Sequence, residues 1–369
     1  MKLMKTTEAV GQVLCHDITQ IIPGVKKDAV FRKGHIITKE DIPVLLSVGK
    51  DTIYIWENDE TMMHENEAAE VLYRMSACGT NSNETDAERH CEAAESGAFG
   101  GTASKMHPSS VKEGKIEVIA DCDGLLKVDS EKLKKVNSFG EMMIATRHGN
   151  TTVKKGDKLA GTRIIPLVIK KDKLEAASHI CDDGPILDIK PFVVRKAAII
   201  TTGNEVYHGR IQDAFTHVIE KKIAEFGAHM MFHEVFDDDD RKITDGCLRA
   251  IEAGAEIVFC TGGMSVDPDD KTPLAIKNTG ARIVSYGSPV LPGAMFLLSY
   301  YDAGDRLVPI CGLPGCAMYN KRTIFDIVLP RLMACDMILA DELAGLGEGG
   351  LCLNCDVCTF PNCGFGKGF

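Results

Sequence analysis

The chain has 369 residues, of which 44% are hydrophobic and 26% charged, and its formal net charge is -11. That length exceeds one compact core and predicts two or three domains. The negative balance argues against a nucleic-acid surface. No apolar run approaches the roughly 18 residues of a membrane helix. The start, MKLMKTTEAVGQV, lacks the apolar core of a secretion signal, so the expectation is a soluble, cytoplasmic protein with no membrane partner.

Residues 1–77 alternate short apolar runs with turns and are expected to form an N-terminal α+β segment. Within it, residues 38–48 predict a helix capped at Thr38, followed by Gly49 and a strand. HENEAAEVLYRMSA, residues 64–77, has the spacing of an amphipathic helix. Residues 78–112 are polar and rich in Gly, Ser, Asn and Ala, which predicts a loop or linker. Over residues 113–190, runs such as KIEVIA, GLLKV and GEMMIATRHGN are divided by Gly and Asp and predict a small β domain.

Residues 191–345 change rhythm. KAAIITTG, HMMFHEVF, AEIVFCTGG, ARIVSYG and RLVPICGLPG have the character of strands. Helical stretches alternate with most of them: residues 214–226, RKITDGCLRAIEAG, DKTPLAIKNTG and CAMYNKRTIFDIVLPRLMA. This alternation predicts an α/β, doubly wound, mostly parallel sheet domain. It is preceded by the smaller β-rich region and followed by a short Cys-rich tail, residues 346–369. Ligands of such sheets bind beyond the carboxyl ends of the strands.

Three of the strands end in comparable loops: TTGNE at 201–205, TGGMS at 261–265 and GLPGC at 312–316. Glycines there let the backbone approach a ligand, and helix N-termini offer free N–H groups to an anion. Acids follow these loops. Glu205 lies just past the first strand, Asp213 starts the next helix, and Asp270 precedes Lys271, Thr272 and Pro273. Asp is a favoured helix cap. The functional alternative is that these carboxylates converge on a hard cation such as Mg²⁺, which takes oxygen ligands and bridges phosphates. The acid run 237–240 also precedes a helix and is expected to be a solvated cap, with one member able to face the site.

These residues carry a resemblance. TTGNE, GRIQD, VFDDD, FCTGGMS, DDKTP, PVLPGAM and PICGLPG occur in the order seen in the molybdopterin-binding domain of molybdenum-cofactor biosynthesis. That domain is shared by molybdopterin adenylyltransferase, molybdopterin molybdenumtransferase and gephyrin, and the chain resembles it from about residue 195 to 334. VGQVLCHDI and GHIITKEDIPVLLSVGKDTIYI are similar to the N-terminal segment of the molybdenumtransferase branch.

The resemblance implies that Thr202, Gly203, Asn204 and Glu205 line the pocket, with Asp213 nearby. Gly262, Gly263 and Ser265 would hold the pterin or its phosphate, and Asp270 would be the key acid of the loop. Pro292 and Gly293 match the family's Pro-Gly, and Gly312, Pro314 and Gly315 would offer the last helix N-terminus. Molybdopterin or its adenylylated form, with Mg²⁺, is the implied cofactor, in a homo-oligomer that hands it to an acceptor molybdoenzyme. Asp270, Glu205 and Asp213 would then carry a nucleotidyl- or molybdenum-transfer.

The chain also departs from the pattern. Ala294 and Met295 stand where the family has Lys-Pro, Ala214 and Phe215 where it has Ser/Thr-Asn, and Cys316 where it has Asn. The residues after Ala334 are too few for the family's C-terminal β domain. Two alternatives follow: a carrier or sensor without catalysis, and a nucleotide pyrophosphatase of the competence-damage-inducible type, whose loop PDDKT also fits. The tail, GGLCLNCDVCTFPNCGFGKGF, places Cys352, Cys355, Cys358 and Cys363 at C-x2-C-x2-C-x4-C spacing. Four such thiolates predict a metal centre, either Zn²⁺ or an iron–sulfur cluster.

Overall fold

The computed structural model describes residues 2–22, 26–55, 59–79, 105–265, 267–268 and 270–368. Residues 80–104, the middle of the expected linker, and Asp269 therefore lie outside the described residues. The chain divides into two compact units. One comprises Met1–Asp121, Val128–Arg147 and Lys155–Asp188; the other comprises Cys122–Lys127, His148–Lys154 and Ile189–Phe369.

In the first unit, Ala9, Leu14, Ile18, Ile37, Leu45, Ile53 and Ile55 form one buried cluster. The first helix, Asp41–Ser47, starts later than its sequence suggests. Thr38 does not cap it. Instead the Asp41 carboxylate accepts from the Thr38 N–H at 2.8 Å and from the Thr38 hydroxyl at 2.9 Å. The amphipathic helix Glu65–Ala77 forms where its periodicity places it and buries Ala68, Ala69, Leu72 and Met75. It packs on Lys115–Ala120 and Lys158–Ile164, the central strands of a four-stranded antiparallel sheet completed by Met106–Pro108 and Met142–Thr146. Two short helices, Ser130–Ser138 and Lys171–Ser178, join the expected strands. Their polar sequences, SEKLKKVNS and KDKLEAAS, have too few apolar residues for the helical period to stand out.

The second unit is built on a six-stranded sheet: β1 (Lys196–Thr202), β2 (His229–Phe236), β3 (Ile257–Thr261), β4 (Arg282–Tyr286), β5 (Leu297–Asp302) and β6 (Leu307–Leu313). Their order is β2-β1-β3-β6-β5-β4. The pairs β2/β1, β1/β3 and β3/β6 are parallel, whereas β5 runs antiparallel to both β6 and β4. This is the doubly wound, mostly parallel α/β fold that the alternation implies. Strand β5 is the apolar run LLSYYD; no helix separates it from β4 or β6, so it falls outside the strand–helix alternation.

The helices are α1 (Asn204–Tyr207), α2 (Phe215–Ala224), α3 (Asp240–Glu252), α4 (Thr272–Asn278), α5 (Ile324–Met333) and α6 (Ala340–Gly345). Strand alternation sends side chains to two faces. Ala197, Ile199, Ile257 and Phe259 meet Ile219 and Ile223 of α2 and Phe325 and Leu329 of α5. Ala198, Ile200, Val258 and Cys260 meet Ile243 and Cys247 of α3 and Ile276 of α4. With both faces covered, the central strands are continuous apolar runs, as a buried parallel sheet requires. The Phe259 and Phe325 rings meet edge-on, with centroids 5.3 Å apart.

The same unit contains an ion cluster around a buried carboxylate. Asp336, just after α5, accepts from Lys127 Nζ at 2.8 Å, from Lys190 Nζ at 2.5 Å and from Arg331 Nε at 2.6 Å. Its carboxyl is held down at about 2: burial works against ionisation, but the bonds from Lys127, Lys190 and Arg331 outweigh it.

Candidate functional site

Strand register sets the site. Thr201 of β1 pairs beside Thr261 of β3, Thr261 beside Leu313 of β6, and Thr202 beside Phe236 of β2. The loops after these four strands therefore leave one edge of the sheet. That is the carboxyl edge, where α/β sheets bind ligands.

Threonine hydroxyls stitch the edge together. Thr202 Oγ1 donates to the Thr261 carbonyl at 3.1 Å and lies 3.0 Å from Thr272 Oγ1. Thr272 Oγ1 donates to the Gly262 carbonyl at 2.9 Å, and its N–H donates to the Gly263 carbonyl at 3.2 Å. The start of α4 is thereby folded back onto the glycine turn. Gly262 has φ +82°, and a Cβ there would sit 2.1 Å from the Thr202 carbonyl oxygen. Only glycine fits this crossing. Ser265 is exposed beyond it.

The first loop turns at Gly203, whose N–H donates to the Phe236 carbonyl at 3.2 Å. The Asn204 N–H donates to Asp238 Oδ2 at 3.2 Å. Asp238 is thus the member of the acid run that reaches this loop, while Asp239 caps α3 through the N–H groups of Arg241 and Lys242. Asn204 and Glu205 are exposed at the edge, and Asp270 is half-buried on the α4 side. Asp270 lies close enough to help burial raise the Tyr286 phenol above its ordinary value. The Tyr286 hydroxyl donates to the Met264 carbonyl at 3.2 Å.

Asp213 is placed differently. Oδ1 accepts the N–H groups of Phe215 at 2.9 Å and Thr216 at 3.1 Å, and Oδ2 accepts the hydroxyls of Thr201 at 2.9 Å and Thr216 at 2.5 Å. His233 Nε2 stands 3.4 Å from Oδ2. Burial pushes this carboxyl up, but the bonds from Thr216, Thr201 and Phe215 prevail and hold it below the usual range. Its lone pairs cap α2, the structural alternative that its position offered. Removing a cap of this kind costs about 1–2 kcal/mol. Asp213→Ala should therefore lower the urea midpoint at unchanged m-value; an unchanged midpoint would show that the cap carries no stability.

The remaining glycines and prolines divide between contact and packing. Gly315 has open space where a Cβ would stand and is exposed, whereas Pro314 is buried. Gly312 lies within β6 beneath Met264, whose sulfur would be 2.5 Å from a Cβ. Gly293 packs on Ile324, and the Pro292 carbonyl accepts the Ile324 N–H at 3.1 Å, so Pro292 and Gly293 seat the start of α5. Among the described residues, no group of three or more His, Cys, Asp or Glu side chains is gathered tightly enough to hold one metal ion. Glu205, Asp213 and Asp270 thus form no cage. Mg²⁺ needs none, because it commonly takes one or two carboxylates and completes its shell with waters and substrate phosphates. Exposed Glu205 and half-buried Asp270 are compatible with that mode, whereas the oxygens of Asp213 already accept four hydrogen bonds.

Sequence reasoning missed Thr216, His233, Thr272 and Tyr286. Thr272 lies within the DDKTP motif and could have been found there. His233 reaches Thr201 and Asp213 only through the pairing of β2 with β1.

The tail packs on the same unit. Leu351 bridges to Leu291, the Cys352 N–H donates to the Leu291 carbonyl at 2.8 Å, and the Leu291 N–H donates to the Gly350 carbonyl at 2.8 Å. Cys352, Cys355, Cys358 and Cys363 line one cavity of about 240 Å³, with Lys321 and Arg322 in its wall. The Phe360 N–H, then Arg322, hold the Cys358 thiol below its ordinary value.

Residues 198–334 match the family described as a probable molybdopterin binding domain, and residues 3–57 match a domain of unknown function. The match to that family thus falls on the α/β domain and spans the motifs that carry the resemblance. A molybdopterin molybdenumtransferase from Nostoc sp. is 23% identical over 197 residues, covering 52% of this chain and 42% of that protein. A putative competence-damage inducible protein from Bacillus velezensis is 29% identical over 90 residues, covering 24% of this chain and 21% of that one. The chain spans less than half the length of the curated relatives it matches. Among solved structures, the tungsten cofactor synthesizing protein MoaB from Pyrococcus furiosus is 17% identical, with a TM-score of 0.30, and covers 38% of this chain and 88% of its own. The molybdopterin biosynthesis Mog protein from Mycobacterium ulcerans is 17% identical, with a TM-score of 0.30, and covers 41% and 99%. No helix among the described residues is long and apolar enough to cross a membrane.

Proposed function

We propose that the α/β domain binds a phosphate-bearing molybdopterin at the carboxyl edge of its sheet and handles it in molybdenum-cofactor assembly, delivery or sensing. The observation that carries this is the glycine turn at Gly262 and Gly263, locked by Thr202 and Thr272 beside the exposed loops of Asn204 and Gly315. Such a turn offers backbone N–H groups to a phosphate without a side chain in the way. Asp270 and Glu205 would hold Mg²⁺ against that phosphate, and the ion would supply charge neutralisation. Asp213 fixes the first turn of α2 and contributes positioning. The absence of the Lys-Pro pair at Ala294 and Met295 favours binding or nucleotidyl chemistry over molybdate insertion.

Equilibrium titration with molybdopterin, with and without Mg²⁺, tests this. Loss of one carboxylate ligand to the ion should weaken binding by Asp270→Ala about tenfold or more in Mg²⁺, and much less without it. Equal affinity of the variant and the parent under both conditions would exclude Asp270 from the site. The PDDKT loop, together with the match to competence-damage inducible proteins, supports a second reading as a nucleotide pyrophosphatase. Mg²⁺-dependent hydrolysis of ADP-ribose by protein that fails to bind pterin would select it.

A further inference from the structure

The four tail cysteines point to a site separate from the pterin edge. We propose that Cys352, Cys355, Cys358 and Cys363 ligate a [4Fe–4S] cluster seated against the α/β domain. The first argument is volume. A tetrahedral Zn²⁺ site draws its four sulfurs to about 2.3 Å from one point and leaves no space between them. Here the four thiols stand around a cavity of about 240 Å³. That is well over ten times the roughly 10–15 Å³ that one water needs. A cubane of four irons and four sulfides needs room inside its four thiolates, and all four cysteines line this one cavity.

The second argument is support. A run this short cannot bury a cluster alone, and the domain makes good the deficit. Leu351 and Cys352 are bonded to the Leu291 backbone, and Phe365 is 5% exposed within the core that contains α5. The Gly366 N–H closes the tail on the Gly349 carbonyl at 3.0 Å. Phe360 and Phe365 give the cavity apolar walls, with ring centroids 6.1 Å apart.

The third is charge. A [4Fe–4S] core with four thiolates is a net anion, and hydrogen bonds and charges around the sulfurs set its potential. Lys321 and Arg322 supply the opposing charge. Arg322 is fixed over the Phe360 ring at 5.0 Å and paired with Asp326 at 2.9 Å. Cys352 and Cys363 are half-buried, whereas Cys355 and Cys358 are exposed, so one side of the cluster would face solvent or a partner.

The test is anaerobic reconstitution of the full chain with equal amounts of ferrous and ferric iron and with sulfide, followed by iron, sulfide and zinc analysis and electron paramagnetic resonance after dithionite reduction. The expected result is about four irons and four acid-labile sulfides per chain, with the signal of a reduced cubane cluster. Cys358→Ser should lose most of the iron, and Cys335→Ser, outside the cavity, should keep it. Circular dichroism shows whether each variant is folded. One zinc per chain that resists replacement by iron, or no bound metal, or iron retained in a folded Cys352→Ser/Cys358→Ser double variant, would each overturn the assignment.

Discussion

Gly262→Ala should be among the most damaging single substitutions in the α/β domain. The new Cβ would meet the Thr202 carbonyl oxygen at 2.1 Å, and the residue would remain at φ +82°. The two penalties act together. A non-glycine residue in a sparsely allowed conformation costs about 1–3 kcal/mol, and overpacking adds a similar amount. The neighbour is backbone rather than the end of a flexible side chain, so relief requires the β1 edge to move away from β3. That movement breaks the bonds from Thr202 to Thr261 and Thr272. The expected outcome is a loss of about 3 kcal/mol or more in urea unfolding, with pterin binding abolished in whatever fraction stays folded. A variant with parental stability would show that the crossing of these two loops is looser than described.

Asp336→Ala should be comparably severe for a different reason. The carboxylate is 7% exposed and pairs with Lys127, Lys190 and Arg331 at once. Its removal leaves three cations together, with Glu342 remaining for Arg331 alone. Deleting one partner of a fully buried ion pair typically costs about 3–5 kcal/mol; Lys127 and Lys190 are partly exposed, which puts this site at or below the low end. The pH dependence follows from the sign of the shift. The folded-state carboxyl is depressed to about 2, whereas an unfolded aspartate titrates near 3.9. Its contribution is therefore fully present above about pH 4 and is lost as pH falls toward 2. The parent should lose on the order of 2–3 kcal/mol over that window through this group, and Asp336→Ala should lose correspondingly less. Parallel acid-unfolding curves for the two proteins would contradict the assignment.

The sequence carried the large sheet well because each of its strands β1, β2, β3 and β6 is an apolar run bounded by Gly or Asp and followed by a helical stretch. The three loops TTGNE, TGGMS and GLPGC were legible as one edge for the same reason. The roles of individual residues were less legible, because they depend on what strand register brings near. Asp213 has the same local signature as a metal ligand and as a cap, and only the positions of Thr201 and Thr216 separate the two. Gly312 and Gly293 share the glycine signature of a ligand loop, yet Met264 and Ile324 occupy the space beside them. His233 lies in β2 outside the VFDDD motif that ends the strand. In the tail, cysteine spacing specified the number of ligands but not the room between them, which depends on how Leu351 and Phe365 dock on the domain.

The central claim is that residues 198–334 hold a molybdopterin. The most direct measurement is made on the full chain isolated without oxygen from its own host: bound small molecules are released by heat, oxidised, and assayed for pterin fluorescence. The expected result is about one pterin per chain in the parent protein and a clear loss in folded Asp270→Ala, consistent with a single pocket at the sheet edge. Folded parent protein that releases no pterin, and takes up none when molybdopterin is supplied with Mg²⁺, would contradict the account and leave only a shared fold.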